Sequence, residues 1–144
     1  MACAFDIRTA RILISIRPNF AQAILRGQKL FELRRTIPQF RPGDLALVYA
    51  SSPIQKVVGH FTVERILSGT PKEVWDNIGQ EIAGIPKHGF FAYLAGSSQC
   101  AAIQINNPRS FDRPLPLPFR APQSYLFLRP ENSSHQKLLD AVCQ

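Results

Sequence analysis

Apolar and polar positions alternate with a period of two through residues 11–17, RILISIR, and the β-branched residues there predict a strand. Pro18 then suits the first turn of a helix. That helix buries Phe20, Ile24 and Leu25 and stops at Gly27. A second strand is expected over residues 29–34. On an ideal strand Lys29, Phe31, Leu33 and Arg35 share one face, and Leu30, Glu32 and Arg34 the other. Residues 36–43 contain Pro38 and a Pro-Gly pair at 42–43, which marks a loop. The run DLALVYA at 44–50 reads as a buried strand ending in the turn Ser51-Ser52-Pro53. Residues 56–67 form a longer strand with Gly59 inside it, a position suited to a bulge or a barrel bend.

Thr70-Pro71-Lys72-Glu73 has the spacing of a capping box, so a short helix is expected over 71–78, anchored by Trp75. A further helix is expected over 87–94 and strands over 101–106 and 123–128. Pro108, Pro114, Pro116, Pro118 and Pro122 predict a stiff loop between those last strands. A short terminal helix is expected over 136–142. Five or six strands with interposed helices predict an α+β fold: a small, curled, antiparallel or mixed β-barrel with flanking short helices. The strand–helix alternation of a doubly wound parallel sheet is missing.

Composition adds little to this, but charge placement adds more. Hydrophobic content of 45% and charged content of 19% in 144 residues suit one globular domain with a real core. Residues 1–72 carry eleven Lys or Arg against four acids, a balance of +7. Residues 73–144 carry six of each. Twelve of the seventeen cations are arginine, the side chain suited to bidentate phosphate contact and base stacking. The first half is thus fit to steer a polyanion, although a solvated basic surface has the same composition.

The apolar runs fall short of a membrane span, and Asp6 and Arg8 interrupt any signal-peptide core. Cys3, Cys100 and Cys143 are scattered, which suits a reducing cytoplasm and forms no metal-ligand pair.

At this point the residues resemble a family. ILISIRPNFAQAILRGQKLFELRR followed by LALVYASSPIQKVVGHFTVERI is similar to the ASCH domain, a branch of the PUA-like superfamily. The matching pieces are Ser15-Ile16-Arg17-Pro18, the 24–29 segment ILRGQK, Phe31-Glu32-Leu33-Arg34, Tyr49-Ala50-Ser51-Ser52-Pro53 and Val58-Gly59. LPLPFRAPQSYLFL resembles the family's closing strand. The resemblance covers residues 11–129, leaving an N-terminal extension of ten residues and a tail from 130 to 144. It implies a PUA-like barrel with a cleft beside the Gly-x-Lys-x-x-Glu-x-Arg segment, and a partner that is RNA or a modified nucleoside.

Each candidate has a functional and a structural reading. Lys29 and Glu32, three apart, converge only if the chain after Gly27 turns or Lys29 reaches over from the strand's start. Converged, they bind a polar base edge or simply form a salt bridge that holds the barrel mouth. Arg17, Arg34 and Arg35 are phosphate-contact candidates or solvated charges at element ends. Tyr49, Ser51 and Ser52 offer hydroxyls and turn N–H groups to a phosphate or base, or satisfy the turn internally. His60 suits a structural role, and His88 and His135 have no recognisable partner. Phe90, Phe91 and Tyr93 suit helix packing better than base stacking.

The main expectation is a basic-cleft RNA or modified-nucleoside binder, linked to RNA metabolism or transcription. The alternative is a small hydrolase using Lys29 and Glu32: a ribonuclease, or an amidohydrolase of N4-acylated cytidine. The amidohydrolase pattern implied by the resemblance has a threonine three residues after the lysine, where this chain has Glu32. Of the glutamates that could complete its triad, Glu64, Glu73 and Glu81 stand out only by being glutamates. A third reading makes the proline-rich segment 113–122 a protein-docking surface. Neither the residues nor the resemblance points to a cofactor, and the oligomeric state stays open.

Overall fold

The computed structural model describes residues 6–78 and 85–144, so Cys3 and Glu81 lie outside the described residues. The strands are β1 (Ile12–Ile16), β2 (Phe31–Arg34), β3 (Leu45–Ala50), β4 (Lys56–Gly69), β5 (Cys100–Leu115) and β6 (Tyr125–Phe127). The helices are α1 (Pro18–Leu25), α2 (Pro71–Ile78), α3 (Lys87–Tyr93) and α4 (Ser133–Val142), with a 3-10 turn at Ile7–Thr9. One sheet holds all six strands in the order β2-β5-β4-β3-β1-β6. Among the described residues only β1 and β3 pair in parallel, so the sheet is mixed.

Both faces of this sheet are covered, which is why β3 is buried at every position. Ile12, Ile14 and Ile16 of β1 face inward with Val48, Phe61, Ile103 and the α1 residues Ala21 and Ile24. Leu13, Leu45 and Leu47 face the other way, under Ile7, Leu138 and Leu139. At the β2–β5 end, Phe31 and Leu33 pack with Val74 and Ile78 of α2, Phe90 of α3 and Leu94 just after it. Trp75 stacks beside Phe90 at 5.0 Å, as an anchor for α2 should. Among the described residues no helix is long and apolar enough to cross a membrane.

The prolines between residues 107 and 115 do not break the strand, contrary to the loop expected there. β2 pairs only with residues 101–104 of β5, so the rest of that strand has β4 as its neighbour. Pro108 and Pro114 fall outside its registered pairs, where a missing N–H interrupts no ladder position. Leu117, Phe119 and Ala121 then pack onto the second cluster, so much of segment 113–122 is occupied by its own fold. His88 lies on α3, within the helix expected there. His135 does have a partner, since its Nδ1 accepts from the Arg129 N–H at 3.0 Å.

His60 on β4 sits half-buried beside Phe111, 5.7 Å between ring centroids, and its Nδ1 has no hydrogen-bond partner among the described residues. Burial, and then the positive charge of Arg109, lower its pKa from the usual 6.5. The neutral ring is therefore favoured in the folded state. Its contribution to stability is fully present above about pH 6.5 and is lost as pH falls through the lower folded value. Unfolding midpoints measured at pH 7.5 and pH 5 should therefore differ less in His60→Gln than in the wild type. An equal difference in both proteins would mean that His60 has no part in the acid sensitivity.

Candidate functional site

Glycine 27 sets the geometry of the site. At φ +75° it adopts a left-handed conformation that favours glycine, and it ends α1. The N–H groups of Gln28 and Lys29 both return to the Ala23 carbonyl, at 2.9 and 3.1 Å, so Lys29 is still in the turn when β2 begins at Phe31. From there its side chain reaches over the start of the strand. Its Nζ donates to the Phe31 carbonyl and lies 3.1 Å from Glu32 Oε1, above the Phe20 ring at 5.3 Å. The convergence of Lys29 and Glu32 thus arises from a pre-strand turn, one of the two routes open to it.

Glu32 and Arg34 share a strand face, and the second carboxylate oxygen of Glu32 lies 3.0 Å from Arg34 Nη2. The acid therefore sits between two cations. Lys29 and Glu32 are only 7% and 6% exposed, so the pair is desolvated rather than a surface contact.

Arg34 also joins the two edges of the sheet. β2 ends the sheet on one side and β6 on the other. Its Nη2 donates to the Ser15 carbonyl of β1 at 3.0 Å, and its Nη1 to Ser124 Oγ, just before β6, at 3.1 Å. A guanidinium thus bridges the seam of the curled sheet. Its Nε is buried and has no hydrogen-bond partner among the described residues.

At this seam opens a cavity of about 250 Å³, lined by Arg17, Glu32, Arg34, Ser51, Tyr93 and Gln123 with Ser15, Ile16 and Phe20. Lys29 stands behind it, beside a void of about 30 Å³ that also touches Phe20, Glu32 and Tyr93. Of the residues singled out in the sequence, the structure brings together Arg17, Lys29, Glu32, Arg34 and Ser51. It does not bring Tyr49, Ser52 or Arg35 into the lining. Tyr49 is buried in the cluster with Leu45 and Leu47, and Ser52 is exposed in a turn. Arg35 lies over the Tyr93 ring at 4.6 Å and donates to its carbonyl at 2.9 Å, so it fastens a residue that lines the cavity.

Gln123 and Tyr93 line the cavity without a local signal in the sequence. Gln123 stands in the segment LPLPFRAPQSYLFL, and only the pairing of β6 with β1 carries it to the cavity. Tyr93 reaches it because α3 packs against β2.

This is a PUA-like α+β fold, with its polar site at the seam of the sheet. The chain belongs to the ASCH domain family, whose profile matches residues 14–114. It is 31% identical over 140 residues to an "ASCH domain-containing ribonuclease" of Zymomonas mobilis, covering 92% of each chain. The crystal structure of ASCH from Zymomonas mobilis superposes with a TM-score of 0.78 at 30% identity, covering 92% of this chain and 95% of that one. A variant of that protein gives the same TM-score at 27% identity, over 91% and 96% of the two chains.

Proposed function

We propose that the protein binds single-stranded RNA, holding one nucleotide in the seam cavity. The observation that carries this reading is the Glu32–Arg34 pair, backed by the buried Lys29, at the wall of an open hollow with Arg17 at its rim. Glu32 supplies an acceptor and Arg34 a donor whose Nε has no partner among the described residues, the complement that a base edge or a phosphate requires. Arg17 is exposed and supplies a further phosphate contact. The likeness to a ribonuclease over nearly the whole chain supports RNA as the polyanion.

The same likeness favours a second step, cleavage of the bound strand. In a ribonuclease that works by transesterification, the 2′-hydroxyl gives up its proton and attacks phosphorus, and the 5′-oxygen takes up a proton and leaves. Arg34 would balance the charge gathering on the phosphate oxygens, and Lys29 with Glu32 would move protons. The amidohydrolase alternative has less support. Glu32 occupies the position where that type has threonine. Glu64 is exposed on β4, and the capping-box hydrogen bonds from Thr70 hold the Glu73 carboxyl below its usual range.

The test is a titration of short single-stranded RNAs at several salt concentrations, with gels run in parallel for products. Affinity should fall linearly with salt on logarithmic axes, with a slope of about 0.7 per phosphate contact. Arg17→Ala should weaken binding about tenfold and make that slope shallower. Affinity that is indifferent to salt, in the wild type and in Arg17→Ala alike, would remove the basic cavity from RNA recognition.

A further inference from the structure

On the far side of α1 lies a second and larger hollow, a groove of about 550 Å³. We infer that it takes the base of the nucleotide next to the one in the seam cavity. The ligand is then a single strand of at least two nucleotides, not a free nucleoside. This rests on the reading proposed above and adds a second binding site to it.

The linings of the two hollows are neighbours along the chain at the start of α1 and at the end of β3. Arg17 lines the seam cavity while Pro18 lines the groove, and Ser51 lines the cavity while Ala50 lines the groove. Arg17 stands exposed at that divide, where the linking phosphate would pass.

The two linings differ in the way that a polar contact and a base require. The seam cavity is charged, with Glu32 and Arg34 in its wall. The groove is mainly apolar, formed by Leu25, Ile54, Val58 and the ring of Phe111, with Gln22 and Arg26 at its polar side. Among the described residues its lining contains one cation and no carboxylate. An apolar slot with an aromatic wall suits the face of a base, and an amide beside it suits a base edge. Arg17 and Arg26, at the two ends of α1, give the groove the charge that a polyanion needs and that an acid-free apolar peptide does not.

The experiment compares nucleoside monophosphates with 2′-O-methyl pentanucleotides, which cannot be cleaved through the 2′-hydroxyl, by competition binding to the full chain. The pentanucleotides should bind at least tenfold more tightly than the monophosphates. Phe111→Ala should remove most of that advantage and leave monophosphate binding unchanged. Ile54→Asp, at a position 46% exposed, should do the same without touching the core.

Monophosphate and pentanucleotide binding of equal strength would overturn the second site while leaving the seam reading intact. Loss of all binding would overturn both. If the two variants change the sedimentation of the protein and not its RNA affinity, the groove joins copies of this chain and the inference fails.

Discussion

Replacing Glu32 by alanine should lower folding stability by about 3–5 kcal/mol, the range for removing one partner of a buried ion pair. The carboxylate serves two cations, Lys29 at 3.1 Å and Arg34 at 3.0 Å, and both lose it together. Lys29 suffers more, because it is buried and its other partners are a carbonyl and an aromatic face. Lys29→Met should cost less, since Glu32 then keeps Arg34. The double variant Lys29→Met/Glu32→Leu should recover most of the stability, because apolar side chains of similar size leave no lone buried charge.

Urea unfolding of the four proteins, at constant m-value, reads these differences directly. A loss under about 1 kcal/mol for Glu32→Ala would show that the acid is not the counter-ion of Lys29. The double variant also separates two roles. If it folds like the wild type and yet fails to bind RNA, the charged chain is there for the ligand. If it folds and still binds, the chain only holds the seam, and the proposed site loses its central acceptor.

The convergence of Lys29 and Glu32 was legible because its cause is local. Gly27 ends the helix, two residues later comes the lysine, and the strand starts after it, all within reach of one turn. The pairing of Glu32 with Arg34 follows from a period of two. The remaining partners come from far along the chain. Ser124 lies 90 residues from Arg34, and nothing in the local pattern says that β6 will lie beside β1.

Tyr49 shows the same limit from within a strand. Alternation puts it with Leu45 and Leu47, but β3 is buried on both faces, so the pattern alone cannot tell which face meets the site. The prolines of β5 hide their strand from the sequence for a related reason. A proline breaks a ladder only where a partner strand expects its N–H, and that depends on where β2 ends.

Glycine 59 is the position where sheet and helix come closest, and Gly59→Ala should cost about 3 kcal/mol, the upper end of what overpacking a core does. It pairs with Val48 on one side and Ser110 on the other, where the β4–β5 register shifts. A methyl group there would lie far inside contact distance of the Arg109 carbonyl oxygen, and 2.8 and 2.9 Å from the two Leu25 methyls. The leucine can rotate, but the carbonyl belongs to the neighbouring strand. Relief therefore requires β4 and β5 to part at their bulge, or α1 to lift from the sheet.

The two responses are separable. Adding Leu25→Ala to Gly59→Ala removes the helix contact and leaves the strand clash in place. If most of the loss persists in the double variant, against Leu25→Ala alone, the Arg109 backbone sets the requirement for glycine. If the loss vanishes, the constraint lies in how closely α1 sits. In that case Gly59→Ala should also weaken RNA binding, because α1 carries Arg26 and begins immediately after Arg17.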